Sequence, residues 1–227
     1  CDGVEAYSLL DNSSTLGVVL NYPKKDIKSL KRSKVKLSTP AALSNLSTKP
    51  CVGFIGAGNY ASRILIPAFK KSGVELNTLV SSGGISGMHH GKKNNFATVS
   101  TDIKDIWSNE KINLVSIVTR HNSHAEQVIS ALNHGKNVFV EKPLALTLGE
   151  IKDIDKAYQE ANISNSVKLM VGFNRRFAPH IVKIKQLLKN EQSPKSIILT
   201  VNAGEIPLGN WVQDKLEGGG RIIGEGC

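Results

Sequence analysis

A glycine-rich turn that follows a short apolar run limits this chain's fold more than any other feature: Cys51-Val-Gly-Phe-Ile55 leads directly into Gly56-Ala-Gly-Asn-Tyr-Ala61. An apolar run of that length reads as a buried strand, and a sharp turn between it and a helix calls for glycine. Gly56 permits the turn, Gly58 leaves the backbone uncovered, and Ala61 is small enough for the helix to lie close to the strand. Such a turn aims backbone N–H groups and the positive end of the helix dipole outward, which suits an anion such as a pyrophosphate. Alone, Gly-x-Gly-x-x-Ala is a weak signal, and a glycine loop that holds no nucleotide is its alternative.

The order of the following segments strengthens the nucleotide reading. Residues 76–80, 114–118 and 138–140 are apolar and read as strands, with helical spacings between them at 86–95, 102–107 and 123–133. In the last of these Ala125, Val128, Ile129 and Leu132 share one face, and Asn133-His-Gly135 supplies the stop. The first helix is expected from about Asn59, with a kink at Pro67. Further on, Thr147 and Glu150 have the spacing of a capping box for a helix over 147–161, and 168–173 reads as the next strand. Strand and helix alternate as a parallel sheet requires, so the expected fold class is α/β, a doubly wound parallel sheet of the Rossmann type. A helix over 181–189 and a β-branched strand over 196–203 then begin a second, α+β domain.

Composition narrows the classes. The chain has 227 residues, 40% of them hydrophobic, which is enough for a core. It lacks an apolar stretch of membrane-helix length and the start of a signal peptide. Its three cysteines, Cys1, Cys51 and Cys227, are scattered, which suggests neither a disulfide framework nor a zinc site, and a reducing cytoplasm is the expected compartment. The adjacent His89 and His90 read as a solvated helix start rather than metal ligands, and no metal is expected. The net charge is +10, but seven basic residues and one acid fall between Lys24 and Lys36 without aromatics. That stretch reads as a basic linker over 23–49, with a phosphate-binding arm ranked below it.

Residues 1–22 contain one expected helix at 5–10 and one expected strand at 16–21, and 218–227 stops where a helix is expected to start. The chain therefore reads as a fragment of a longer protein: 1–22 the end of an upstream domain, 50–172 the nucleotide-binding domain, 173–227 the start of a substrate domain.

The quoted motifs, together with Ser116-Ile-Val-Thr-Arg-His-Asn-Ser-His124, Gly135-Lys-Asn-Val-Phe-Val-Glu-Lys-Pro-Leu144, Gly172-Phe-Asn-Arg-Arg-Phe177 and the segment from Trp211 onward, resemble the glucose-fructose oxidoreductase, inositol dehydrogenase and MocA-type family. They follow the family's order across 51–227, and Glu-Lys-Pro is the most specific of them. Residues 4–23 also resemble the closing helix and strand of the alcohol-dehydrogenase-like domain that precedes this one in a subgroup. The resemblance implies an NAD(P)-dependent oxidoreductase that moves a hydride between the nicotinamide and a sugar, polyol or nucleotide-sugar. Lys142 is then the catalytic residue beside the reacting oxygen, since alcohol oxidation releases a proton that a base or charge stabiliser must manage. A surface lysine is the bland alternative.

The resemblance assigns cofactor contacts to Gly56, Ala57, Gly58, Asn59, Tyr60, Thr119, Asn122, His124, Glu141 and Lys142. A helix cap at Ser123 and a packed His124 are the alternatives. Arg120 and His121 stand where relatives often carry small residues or Pro, and no role is assigned to them. Ser81 and Ser82 occupy the position where an acid would select NAD, so NAD and NADP both remain candidates. Substrate contacts fall to Asn174, Arg175, Arg176, Trp211 and Asp214, with structural roles as alternatives for at least one arginine, the Trp and the Asp. The family's acid before its catalytic His is replaced by Gly224, followed by Glu225, and the His position falls just after Cys227. A non-catalytic nicotinamide-binding sensor or scaffold is therefore the main rival, and nucleic-acid binding by the basic arm ranks last. The expected partner is a sugar-type small molecule, with no membrane and a homo-oligomer in the full-length protein.

Overall fold

A computed structural model describes residues 3–11, 14–20, 32–37, 49–202 and 204–226. The chain divides into two units, 1–32 and 33–227. In the first, helix α1 spans Gly3–Leu9. Residues 15–20 form no strand, which corrects the expectation for 16–20, and Asn21 lies outside the described residues. Leu16 and Val19 are fully exposed, and among the described residues no strand covers them.

The second unit is built on a seven-stranded sheet: β1 (Lys34–Lys36), β2 (Cys51–Ile55), β3 (Glu75–Val80), β4 (Thr98–Ser100), β5 (Leu114–Ile117), β6 (Asn137–Val140) and β7 (Leu169–Val171). Its order is β1-β4-β3-β2-β5-β6-β7. Only the β1–β4 pairing is antiparallel; the other five are parallel. From β2 the chain winds outward through β3 to β4, then crosses back to β5 on the other side of β2 and winds outward again through β6 to β7. The carboxyl ends of β2 and β5 are therefore the switch point, where a crevice must open. The linker expected over 23–49 thus contains β1, and much of the rest of it is outside the described residues.

Strand residues alternate between two buried clusters, as a sheet covered on both faces requires. Val52 and Phe54 belong to one with Leu76, Leu79 and Phe96; Cys51 and Ile55 belong to the other with Val115, Ile117, Val138 and Val140. Phe54 meets Phe69 and Phe96 edge-on, with centroids 5.1 and 5.8 Å apart. The turn after β2 enters a π-helical segment, Ala61–Leu65, continued by α2 (Ile66–Lys71), so the irregularity expected at Pro67 lies in the turn before it. Helices α3 (Ile85–Asn94), α4 (Lys104–Trp107) and α5 (His124–Asn133) follow β3, β4 and β5. His89 and His90 sit in the body of α3 rather than at its start. Helix α6 (Leu148–Asn165) begins with the expected capping box, the Glu150 N–H donating to Thr147 Oγ1 at 3.1 Å and the Thr147 N–H to Glu150 Oε2 at 2.9 Å.

After β7 come α7 (Pro179–Leu187) and α8 (Gly220–Gly226). The strand expected over 196–203 is absent from the described residues 196–202, and Ala203 lies outside them. Ile197, Ile198 and Leu199 are largely exposed, and β-branched residues form a ladder only where another strand offers its backbone. No helix among the described residues is long and apolar enough to cross a membrane.

Leu132 is fully buried on the inner face of α5, so Leu132→Ala is expected to lower the unfolding free energy by about 3 kcal/mol. Ile163→Ala, at an exposed position of α6, should change it by less than about 0.5 kcal/mol in the same urea titrations.

Candidate active site

The turn after β2 is forced by its neighbour. Gly56 has φ +107°, its N–H donates to the Val80 carbonyl at 2.9 Å, and a Cβ there would lie 2.3 Å from the Val118 carbonyl oxygen. No side chain fits between the ends of β2 and β5. Gly58 is the opposite case: an added Cβ would meet nothing within 4 Å, so that face of the turn is open. Ala61 is fully buried. Close approach, open floor and packing thus fall on three small residues of one turn, Gly56, Gly58 and Ala61.

The open floor belongs to a cleft of about 1630 Å³ at the switch point. Most of the residues expected at a cofactor site line it: Gly56, Ala57, Gly58, Asn59 and Tyr60 from the first turn, Ser81 and Ser82 after β3, Thr119 and His124 after β5, and Glu141 and Lys142 after β6. Asn174 and Trp211, expected to face substrate, line it too, and the Asn174 amide donates to the Tyr60 hydroxyl at 3.2 Å. Asn122, Arg175, Arg176 and Asp214 are not among the lining residues. The Asn122 N–H donates to the Glu217 carbonyl. Arg175 donates to the Glu225 carbonyl at 2.8 Å, with the Glu225 carboxylate 3.8 Å away. Arg176 lies over the Phe177 ring, and the Asp214 carboxylate accepts the N–H groups of Leu216 and Glu217.

At the far end of the cleft Ser81 Oγ and Ser86 Oγ are 3.0 Å apart. His90, Thr101 and Asp102 complete that end. The serines offer neutral hydroxyls where an acid would reject a 2′-phosphate.

Lys142 is held from three sides. The Glu141 N–H donates to the Ile117 carbonyl at 2.9 Å, continuing the sheet to the residue before the lysine. The Glu141 carboxyl is buried, and burial pushes its pKa up; a Cβ on Gly172 would lie 2.7 Å from Glu141 Oε1, so glycine leaves room for that group. His124, fully buried, sits between the Pro143 carbonyl at 2.6 Å from Nδ1 and the Thr119 carbonyl at 3.2 Å from Nε2. Both carbonyls favour a charged ring, yet burial outweighs them and holds its pKa below the ordinary value. His124 is thus a neutral brace between the loops after β5 and β6. The Lys142 ammonium donates to the Gly224 carbonyl.

The segment around α8 closes this end. Arg120 pairs with Glu217 and lies over the Trp211 ring, 5.6 Å from its centroid. His121 is buried, with Nδ1 2.7 Å from the Gly218 carbonyl and its ring edge-on to Trp211 at 4.8 Å. Burial holds its pKa below the ordinary value; Lys142 adds to this, while the Gly218 carbonyl and Glu225 oppose it. No role follows for His121 from the sequence, although a histidine four residues past the carboxyl end of β5 was the available signal. Among the described residues no group of three or more His, Cys, Asp or Glu could hold a metal ion.

Residues 51–173 match the profile of the Gfo/Idh/MocA oxidoreductase family, described as having an NAD-binding Rossmann fold. The chain is 34% identical over 139 residues to an oxidoreductase of Formosa agariphila, covering 60% of this chain and 41% of that protein. It is 26% identical over 176 residues to 1,5-anhydro-D-fructose reductase of Ensifer adhaerens, covering 75% of this chain and 51% of that one. The chain thus spans about half or less of the length of these relatives. Among solved structures, levoglucosan dehydrogenase in complex with NADH and L-sorbose aligns with a TM-score of 0.55 at 25% identity, covering 62% of this chain and 38% of that one.

Because His121 and His124 both resist protonation in the folded state, the unfolded chain binds more protons below its ordinary histidine pKa of 6.5. Stability should be flat above that pH and fall as pH drops through it, by up to about 1.4 kcal/mol per pH unit for each histidine. Denaturant titrations from pH 8 to 5 measure this, and His121→Asn should remove one of the two contributions.

Proposed function

The chain belongs to the Gfo/Idh/MocA family of oxidoreductases with an NAD-binding Rossmann fold, and from that premise we propose that its protein transfers a hydride between NAD or NADP and a carbon bearing a hydroxyl or carbonyl group in a sugar, polyol or nucleotide-sugar. The observation that carries this reading is a shared cleft: the open turn at Gly58 and the ammonium-bearing Lys142 line the same cavity at the switch point. The fit to a dinucleotide rests on Gly58, where the space that a Cβ would fill is free for pyrophosphate.

When bound, the nicotinamide supplies the acceptor or donor of the hydride. The chain's part is positioning and charge. Backbone N–H groups from Ala57 to Tyr60 hold the pyrophosphate, and Ser81 and Ser82 meet the adenosine ribose without excluding a 2′-phosphate. Lys142 donates to the reacting oxygen and stabilises the negative charge that grows there as its proton leaves. Glu141 and His124 fix the backbone on either side of that lysine. Asn174 and Trp211 flank the substrate, and the named substrates of the relatives, an anhydro-sugar and levoglucosan, support a polyhydroxylated molecule. In the domain arrangement that goes with this reading, 50–172 binds the cofactor and 173–227 belongs to the substrate domain. A cytoplasmic setting agrees with the buried, free Cys51.

The test is reduction of NAD or NADP by the whole protein over a panel of sugars and polyols, followed at 340 nm. Lys142→Met should lower kcat by about a hundredfold or more with cofactor affinity within about threefold. Cofactor binding with no polyol-dependent reduction would favour the rival, a nicotinamide-binding module without turnover.

Gly58→Val offers a separate check. Its side chain would enter open space, so the melting temperature should stay within about 2 °C, while NADH binding followed by fluorescence should weaken by about tenfold or more.

A further inference from the structure

Strand β1 stands outside the parallel winding of the other six, pairing antiparallel with the outer side of β4. Without it β4, three residues long, would present an edge of unpaired backbone groups. The pairing places Lys34 opposite Ser100 and Lys36 opposite Thr98, and it continues past both ends of the strand. The Thr101 N–H donates to the Ser33 carbonyl at 2.8 Å, and the Leu37 N–H to the Ala97 carbonyl at 2.9 Å. Leu37 packs against the cluster that contains Phe54 and Phe96.

The first of these bonds reaches the cleft, because Thr101 and Asp102 line its far end. Ser100, fully buried, joins the parts. Its carbonyl accepts the Ser81 N–H at 3.0 Å, so it also holds the adjoining wall. Its hydroxyl accepts the Asp102 N–H at 2.9 Å and lies 2.6 Å from Asp105 Oδ2. Asp105 Oδ1 in turn accepts from the Lys34 ammonium at 2.8 Å. Burial raises the pKa of Asp105, but the bonds from Lys34 and Ser100 outweigh it and hold the carboxyl below its ordinary value. The turn after β4 is thus held from β1 at two points, by backbone at Ser33 and by a charged side chain at Lys34.

We propose that Ser33 and Lys34 are positioning residues for cofactor binding: from β1 they fix Thr101 and Asp102, and through Ser100 the backbone of Ser81, where the adenosine half of the dinucleotide lies. The inference rests on the oxidoreductase reading, in which pyrophosphate at Gly58 and nicotinamide at Lys142 leave the end at Ser81 and Thr101 to the adenosine. Neither Ser33 nor Lys34 lines the cleft, so their effect is preorganisation: a turn already in place need not be ordered when the nucleoside arrives. The reacting end is built on the loops after β5 and β6, on the other side of β2, so the effect is confined to one half of the cofactor.

The experiment uses the whole protein and measures binding of NADH, AMP and reduced nicotinamide mononucleotide, which lacks the adenosine. Lys34→Ala breaks a partly exposed pair, so the melting temperature should stay within about 4 °C. Val35→Pro puts a residue without an N–H in the middle of β1. In both variants NADH and AMP should bind about fivefold or more weakly, while reduced nicotinamide mononucleotide stays within about twofold. Lys34→Arg, which keeps a cation beside Asp105, should recover most of the loss. Unchanged NADH and AMP affinity in both variants would overturn the proposal. So would an equal loss for reduced nicotinamide mononucleotide, which is the outcome of a general loosening of the sheet. If the unsubstituted protein binds neither NADH nor NADPH, the oxidoreductase reading falls and this proposal with it; NADH binding that Lys34→Ala and Val35→Pro leave intact removes this proposal alone.

Discussion

The site depends on the contact between Gly56 and the carbonyl of Val118, where β2 and β5 turn away from each other. Parallel strands wound in opposite directions from β2 must leave a gap at that place, and backbone at Gly56 approaches too closely for any side chain. Most other groups of the cleft are set by the same sheet. Ser81 follows β3, Thr119 and His121 follow β5, and Glu141 and Lys142 follow β6, so groups far apart in the chain converge at one edge.

Around that edge, polar burial is arranged to hold position rather than charge. His124 is neutral between two carbonyls, and its bond to Pro143 ties the loop after β6 to the start of α5. Glu141 is buried behind a glycine. The segment around α8 contributes mainly backbone: the carbonyls of Gly218 and Gly224 receive His121 and Lys142, and the Glu217 carbonyl receives Asn122. Its one close ion pair with the β5 loop, Arg120 with Glu217, is partly exposed and of little worth to stability by itself. Orientation of His121 and Lys142 is its larger effect.

The parallel strands β2, β3, β5 and β6 were legible because both of their faces are buried and their runs are apolar or β-branched. The capping box of α6 was legible because it is a local exchange of two hydrogen bonds. Strands β1 and β4 were not: Lys34–Lys36 has a polar edge pattern, and both are three residues long, so they are defined by their pairings, β1 with β4 and β4 with β3, rather than by their own composition. The opposite holds at 196–202, where β-branched residues form no strand and stay exposed.

Sequence alone determined the α/β class, the place of the glycine turn and the candidacy of Lys142, because a tight turn, an apolar strand and the residue at its end are all local properties. It left His121 without a role and gave Arg175, Arg176 and Asp214 to the substrate. Only the tertiary structure decided that Arg175 meets Glu225, that Asp214 shapes a turn, and that His121 lies under Trp211 with Nδ1 on the Gly218 carbonyl. The reason is distance along the chain: His121 and Gly218 are 97 residues apart, and a tautomer fixed by so remote a carbonyl leaves no trace in the spacing of either residue.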